Sequence, residues 1–173
     1  MSLSKKELAK QVFKACYLQG DFLLRSGIRS KEYFDKYRIE SKPELLSQII
    51  DHLMPLIPKN TDILAGLEMG GIPLSTGLSL KSQLSARFVR KKAKDYGTLQ
   101  ICEGGDIKGK NLCLIEDVIT TGGQVIESAK ELRALGATVS NVLCVIFRGE
   151  NLTALEKENL KLSYLFSKED LYS

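Results

Sequence analysis

Short apolar runs alternate with amphipathic stretches over residues 62–166, which predicts an α/β domain with a mostly parallel central sheet flanked by helices. Two further observations point the same way. An apolar run, Asn111–Ile115, leads through two acids into a hydroxyl- and glycine-rich turn and then a helix. No repeat or low-complexity linker interrupts the 173 residues, a length that suits one domain.

The elements follow in order. Ser4-Lys5-Lys6-Glu7 reads as a capping box, with Leu8, Val12 and Cys16 at four-residue spacing and Gly20 as the stop of a first helix. Phe22–Leu24 and Tyr33–Ile39 are short strand candidates around the turn Ser26-Gly27. A second capping box, Ser41 to Glu44, opens a helix carrying Leu45, Leu46, Ile49, Ile50, Leu53 and Met54, ended by Pro55 and Pro58. Asp62–Ala65 is a strand entering the Gly66/Gly70/Gly71 loop, Pro73–Gln83 a helix and Ala86–Val89 a strand. The stretch from Arg90 to Lys110 is too long for an ordinary connection and reads as a functional, mobile loop. Asn111–Ile115 is a strand, Gly123–Leu135 a helix closed by Gly136, and Thr138–Phe147 a strand. Leu152–Glu158 and Leu162–Phe166 complete the series as helix and strand.

Composition narrows the function. Hydrophobic residues at 43% and charged residues at 27% exclude wholesale disorder. The longest charge-free run, Ala134–Phe147, is short of the ~20 apolar residues that span a bilayer. No apolar stretch follows the N-terminal lysines, so a secretory signal is not expected. Cys16, Cys102, Cys113 and Cys144 form no CxxC pair, which argues against a zinc site or a disulfide scaffold and fits a reducing cytoplasm. The net charge of +4 is local: residues 87–94 carry five bases and no acid, leaving the remainder near −1. A compact polyanion suits that segment better than nucleic acid does, although a charge run taken alone is usually a solvated surface.

The strongest signal is Leu112–Val125, LCLIEDVITTGGQV. Open α/β sheets bind ligands at the carboxyl ends of their strands. Thr120, Thr121, Gly122, Gly123 and Gln124 open a helix there, offering N–H groups and hydroxyls to a phosphate. Glu116 and Asp117, just before, can accept hydrogen bonds from the vicinal hydroxyls of a sugar carrying that phosphate. The string is neither a Walker A loop nor a GxGxxG turn.

That string resembles the phosphoribosyl-diphosphate signature of type I phosphoribosyltransferases. Phe22–Gly27 with Ser30, Tyr33, Phe34 and Asp35 is similar to the N-terminal signature of the orotate phosphoribosyltransferase family. Gly66–Pro73 resembles that family's diphosphate loop, Phe88–Thr98 its flexible catalytic loop, and Phe147–Glu150 the segment with its substrate-binding arginine. The resemblance implies a type I phosphoribosyltransferase fold over residues 1–173, with a small hood (about 1–40 plus the C-terminal segment) and a core (about 41–150). It implies transfer of 5-phosphoribosyl from phosphoribosyl diphosphate to orotate, with Mg²⁺ held mainly by substrate and water, near Glu116 and Asp117. Arg90, Lys91, Lys94, Gly70 and Gly71 would join the acids and the turn in binding phosphoribosyl diphosphate, with Lys94, Asp117 and Glu116 catalytic. Arg25, Tyr33, Phe34, Thr121 and Arg148 would bind orotate. A cytoplasmic homodimer is implied, its basic loop acting across the interface, with no nucleic-acid or membrane partner.

Departures are visible. Tyr96 stands where some members have histidine, Gly70 where some have lysine, and Phe147 and Asn151 flank Arg148 in place of the usual Asp and Gly. Asp35 reads as structural, His52 as a packing or surface residue, and Cys102 and Cys113 as small apolar fillers. A sibling transferase using another base, or a non-catalytic sensor of phosphoribosyl diphosphate, stays open.

Overall fold

The computed structural model describes residues 3–23, 27–92 and 101–172. Helix α1 (Lys5–Cys16) starts with the expected capping box, Ser4 and Glu7 bonding each other's backbone N–H. It ends at Cys16, and Gly20 lies inside a strand. Strands β1 (Tyr17–Leu23) and β2 (Arg29–Phe34) form an antiparallel hairpin with an irregularity between Gln19 and Phe22. Residues expected to prolong the second strand instead form a single helical turn, α2 (Tyr37–Glu40).

Helix α3 (Pro43–Leu53) has no capping box at Ser41: Lys42 is the cap residue, no side chain caps it, and Pro43 takes the first helical position. Proline is suited to that place because its missing N–H would have no intrahelical acceptor. A 3₁₀ turn (Met54–Leu56) follows.

The main sheet has six strands, β3 (Ile63–Leu67), β4 (Ser85–Val89), β5 (Cys102–Glu103), β6 (Asn111–Ile119), β7 (Thr138–Phe147) and β8 (Lys161–Ser167), in the order β5-β4-β3-β6-β7-β8. All neighbours are parallel except β4 and β5. The short β5 was not expected within the polar stretch 90–110. Helices α4 (Gly71–Ser82), α5 (Gly123–Ala134), α6 (Thr153–Lys157) and α7 (Lys168–Tyr172) complete the chain. The C-terminal segment divides: β8 is the sheet's edge, while α7 packs on α1.

Two apolar clusters cover the two faces. Cys113 and Ile115 of β6 pack with α1, α3 and α4 through Leu8, Val12, Ile49, Leu74 and Leu78. Leu112 and Leu114 pack with α5 through Val125, Ala129 and Leu132. The alternation along β6 is that of a strand buried on both sides. Chain order runs outward from β3 to β4 on one side and from β6 to β7 and β8 on the other. The carboxyl ends of β3 and β6 therefore flank the point where the winding reverses, the place where open α/β sheets bind ligands.

The single-residue expectations for the packing hold locally. All four cysteines are buried and free, and burial pushes the Cys102 thiol up to about 11 and Cys113 to about 12. His52 donates from Nε2 to the Leu3 carbonyl at 2.8 Å, tying down the N-terminus. Among the described residues, no helix is long and apolar enough to cross a membrane.

Candidate active site

β6 runs four residues beyond the strand expected from the sequence, because Glu116, Val118 and Ile119 still pair with Cys144, Ile146 and Phe147 of β7. The two acids thus sit within the strand. Glu116 is 8% exposed and Asp117 0%. Glu116 and the turn Thr120–Gln124 line one cavity of about 310 Å³, together with Val118, Ile119 and Val125. Gly122 enters α5 at φ +79°, and no side chain caps the helix, which leaves its first-turn N–H groups to the cavity. An anion is the natural ligand of such a helix start.

Asp117 is held on several sides. Lys36 Nζ lies 2.9 Å from both carboxyl oxygens, and the Val118 N–H donates to Oδ1 at 2.7 Å. Gly70, at the start of α4, leaves room for Oδ2: a Cβ there would stand 2.1 Å away. Gly71 lies as close to the Ile115 carbonyl oxygen, so both glycines let the loop after β3 seat on β6. The Glu68–Met69 peptide in this loop is cis.

Electrostatics divide the acids. Burial first, then the hydrogen bond and charge of Asp117, push the Glu116 carboxyl well above the usual carboxylate range. Burial also opposes charge on Asp117, but hydrogen bonds from Glu116 and Lys36, with the Lys36 charge, outweigh it and hold the group below its ordinary value. Burial alone raises Glu40 strongly, the charge of Asp117 adds to it, and the carboxyl reaches about 7. Lys36 and Glu40 were not among the sequence-predicted residues. Lys36 lies 81 residues from Asp117 in the chain, and no local pattern marks the link.

The basic segment starts beside the glycine loop. Leu67 pairs with Val89, the Arg90 N–H donates to the Ile101 carbonyl at 2.8 Å, and the Lys91 N–H donates to Glu68 Oε1 at 2.6 Å. Arg90 Nε is buried and has no hydrogen-bond partner among the described residues, a donor suited to an incoming anion. Lys94, Tyr96 and Arg25 lie outside the described residues.

Arg148 follows β7, its N–H bonded to the Ile119 carbonyl at 2.8 Å and its guanidinium 5.6 Å from the centre of the Phe34 ring. Tyr33 stacks on Phe22 with ring centres 5.4 Å apart. Tyr33, Phe34 and Arg148 line a second cavity of about 340 Å³ with Tyr17, Ser30, Glu32 and Tyr172. Gly149 approaches the Thr120 carbonyl so closely that a Cβ would stand 2.4 Å from it, which seats the residue after Arg148 against the phosphate-type turn. Asp35 serves structure, pairing with Arg38 and closing the hairpin through its N–H to the Cys16 carbonyl.

The model of the phosphoribosyl transferase domain family matches residues 32–165, which span the glycine loop, the acids, the turn and Arg148. An orotate phosphoribosyltransferase from a Nocardioides species is 48% identical over 141 residues, covering 82% of this chain and 79% of that protein. One from Methanocella arvoryzae is 40% identical over 153 residues, covering 88% and 87%. The crystal structure of orotate phosphoribosyltransferase from Aeropyrum pernix aligns at a TM-score of 0.81 with 31% identity, over 95% of both chains. These identities extend over 79% or more of each relative, and with them the chain belongs to the orotate phosphoribosyltransferase family.

Proposed function

We propose that the chain transfers the 5-phosphoribosyl group from phosphoribosyl diphosphate to orotate, releasing diphosphate and forming orotidine 5′-monophosphate for pyrimidine biosynthesis. The observation that carries this is the meeting, at the carboxyl ends of the central strands β3 and β6, of an uncapped helix start with its hydroxyl turn, an acidic pair and a glycine loop. The turn Thr120–Gln124 takes the 5′-phosphate, and Glu116 accepts or donates to the ribose hydroxyls at the same cavity. Gly70, Gly71 and the buried Nε of Arg90 receive the diphosphate. Arg148 grips orotate, its guanidinium already supported on Phe34.

Breaking the C1′–diphosphate bond puts cationic character on the ribose and extra negative charge on the leaving group. The Asp117 carboxylate near the sugar and bases on the diphosphate answer those two charges electrostatically, while Glu116, kept protonated by burial and by Asp117, serves as a hydrogen-bonding group. Among the described residues there is no group of three or more His, Cys, Asp or Glu to cage a metal. The donors present fit Mg²⁺ carried by diphosphate oxygens and water near the acids, where it neutralises the departing group. Lys91 and Lys94 add charge on the diphosphate, and a homodimer places the basic segment over the partner's site. Such a transferase works in the cytoplasm.

The test follows diphosphate release with Mg²⁺, phosphoribosyl diphosphate and, separately, orotate, uracil, adenine and hypoxanthine. Orotate alone should support turnover. Turnover with another base only would make the chain a sibling transferase, and binding without turnover a sensor. Asp117→Asn and Lys94→Ala should each lower kcat by at least ~10²-fold, the size expected for one lost electrostatic contact in the transition state. Unchanged rates in both would remove these assignments.

A further inference from the structure

The acidic pair has a cation that the transfer chemistry above does not use. Lys36 joins β2 to α2, and its ammonium reaches 2.9 Å from both oxygens of Asp117, 81 residues away. Asp117 is completely buried while Lys36 is 35% exposed, so the lysine covers the acid from the hood side. No other salt-bridge partner of Asp117 is found among the described residues. Exposed ion pairs contribute little, but a buried carboxylate that loses its cation is strongly disfavoured and takes a proton or turns away.

The surroundings add to the attraction. Glu40 follows Lys36 by one helical turn, on the same face, and both of its carboxyl oxygens are buried with no hydrogen-bond partner in another of the described residues. Glu116, hydrogen-bonded to Asp117, is the third carboxyl of the group. One ammonium thus stands among three acids, and it sits on Asp117. Val118 N–H and the bare Gly70 fix the remaining sides of that carboxylate.

From this geometry we infer that Lys36 is a positioning residue of the transfer reaction: acting through Asp117, it keeps that carboxylate charged and oriented at the floor of the site. The inference rests on the transferase reading above. It adds to that reading a hood residue with no direct part in binding either substrate.

Steady-state kinetics on Lys36→Met, Lys36→Arg, Asp117→Asn and the Lys36→Met/Asp117→Asn double variant test it, with whichever base the unaltered protein accepts. Lys36→Met should lower kcat at least about tenfold while KM for phosphoribosyl diphosphate moves less than about threefold, the split expected when a transition-state contact is lost. Lys36→Arg, which keeps the charge, should recover kcat to within about threefold of the unaltered protein. The double variant should lose no more than Asp117→Asn alone, because the two residues act as one unit. Additive losses overturn the proposal, and so does a Lys36→Arg variant as slow as Asp117→Asn, an outcome that is read even if Lys36→Met fails to fold. Turnover unaffected by Lys36→Met overturns it too. Absence of turnover in the unaltered protein with every base would instead overturn the transferase reading, and this proposal with it.

Discussion

Gly70 and Asp117 lie so close that no side chain fits between them. A Cβ on Gly70 would stand 2.1 Å from Asp117 Oδ2 and 2.3 Å from its carboxyl carbon. The loop after β3, which presents the start of α4, is thereby locked onto the acidic pair within the neighbouring strand β6. Gly70→Ala must push Asp117 aside, or lift the loop, by more than about 1 Å to move that contact from 2.1 Å to an ordinary 3.4 Å. Misplacement by about 1 Å near reacting groups costs on the order of 10²-fold in rate. The expected outcome for Gly70→Ala is a fall in kcat/KM of that order, read by diphosphate release, with a cooperative thermal transition retained. A rate within about threefold of the unaltered protein would show that the loop gives way freely.

Arg148 and Phe34 make the corresponding link on the base side. The guanidinium rests 5.6 Å from the ring centre, and a planar fork on an aromatic face is something lysine does not reproduce. Arg148→Lys should therefore raise KM for orotate by at least about tenfold, the loss expected from a charge-assisted bidentate contact. KM for phosphoribosyl diphosphate should stay within about twofold, since Arg148 is not among the groups lining the phosphate cavity. Parallel changes in both constants would place Arg148 outside the base site.

How much of this could be read in the sequence depended on distance along the chain. The turn Thr120–Gln124 was legible because its chemistry is local: hydroxyls and glycines at a helix start need no distant partner. The acids were legible as residues, but their placement inside β6 was not. A local pattern sees polar residues as a strand's end, whereas the β7 pairing from Glu116 to Ile119 carries the strand past them. The box at Ser41–Glu44 failed because Pro43 sets the helix start with Lys42 as the cap. Lys36 and Glu40 were missed because only the packed fold brings them to Asp117. The basic run was read correctly as a charge cluster on residues 87–94, while the acid that anchors its start, Glu68, gave no sign in sequence of pointing there.

That anchor is the basis of a third expectation. Glu68 Oε1 accepts the Lys91 N–H at 2.6 Å, and the Glu68 N–H donates to the Val89 carbonyl at 2.8 Å. A carboxylate beside a diphosphate site is electrostatically unfavourable, so its hold on the backbone is the physical reason for its presence. Glu68→Ala releases Lys91 and the adjoining Arg90 from the glycine loop. KM for phosphoribosyl diphosphate should rise about five- to tenfold, the size of one hydrogen bond to a charged group. Glu68→Gln keeps an acceptor and removes the repulsion, so its KM should lie at or below that of the unaltered protein. Equal KM values in all three proteins would show that the bond does not support the site.

The last expectation concerns stability and has a definite sign. Burial, and then the charge of Asp117, raise the Glu40 carboxyl from 4.5 to about 7 in the folded chain. Below pH 4.5 the group is protonated in both folded and unfolded chains, and its ionisation does not affect folding. Between about pH 4.5 and 7 the unfolded chain gives up the proton while the folded chain keeps it, so each rise in pH favours unfolding. Above pH 7 both states are ionised and the cost of the buried charge is fully present. Glu40→Gln has nearly the same shape and no proton to lose. Its melting temperature relative to the unaltered protein should therefore increase from pH 5 to pH 8, by at least about 2 °C for a chain of this size. A constant difference across that range would mean that Glu40 keeps an ordinary carboxylate pKa and that water reaches it despite its burial.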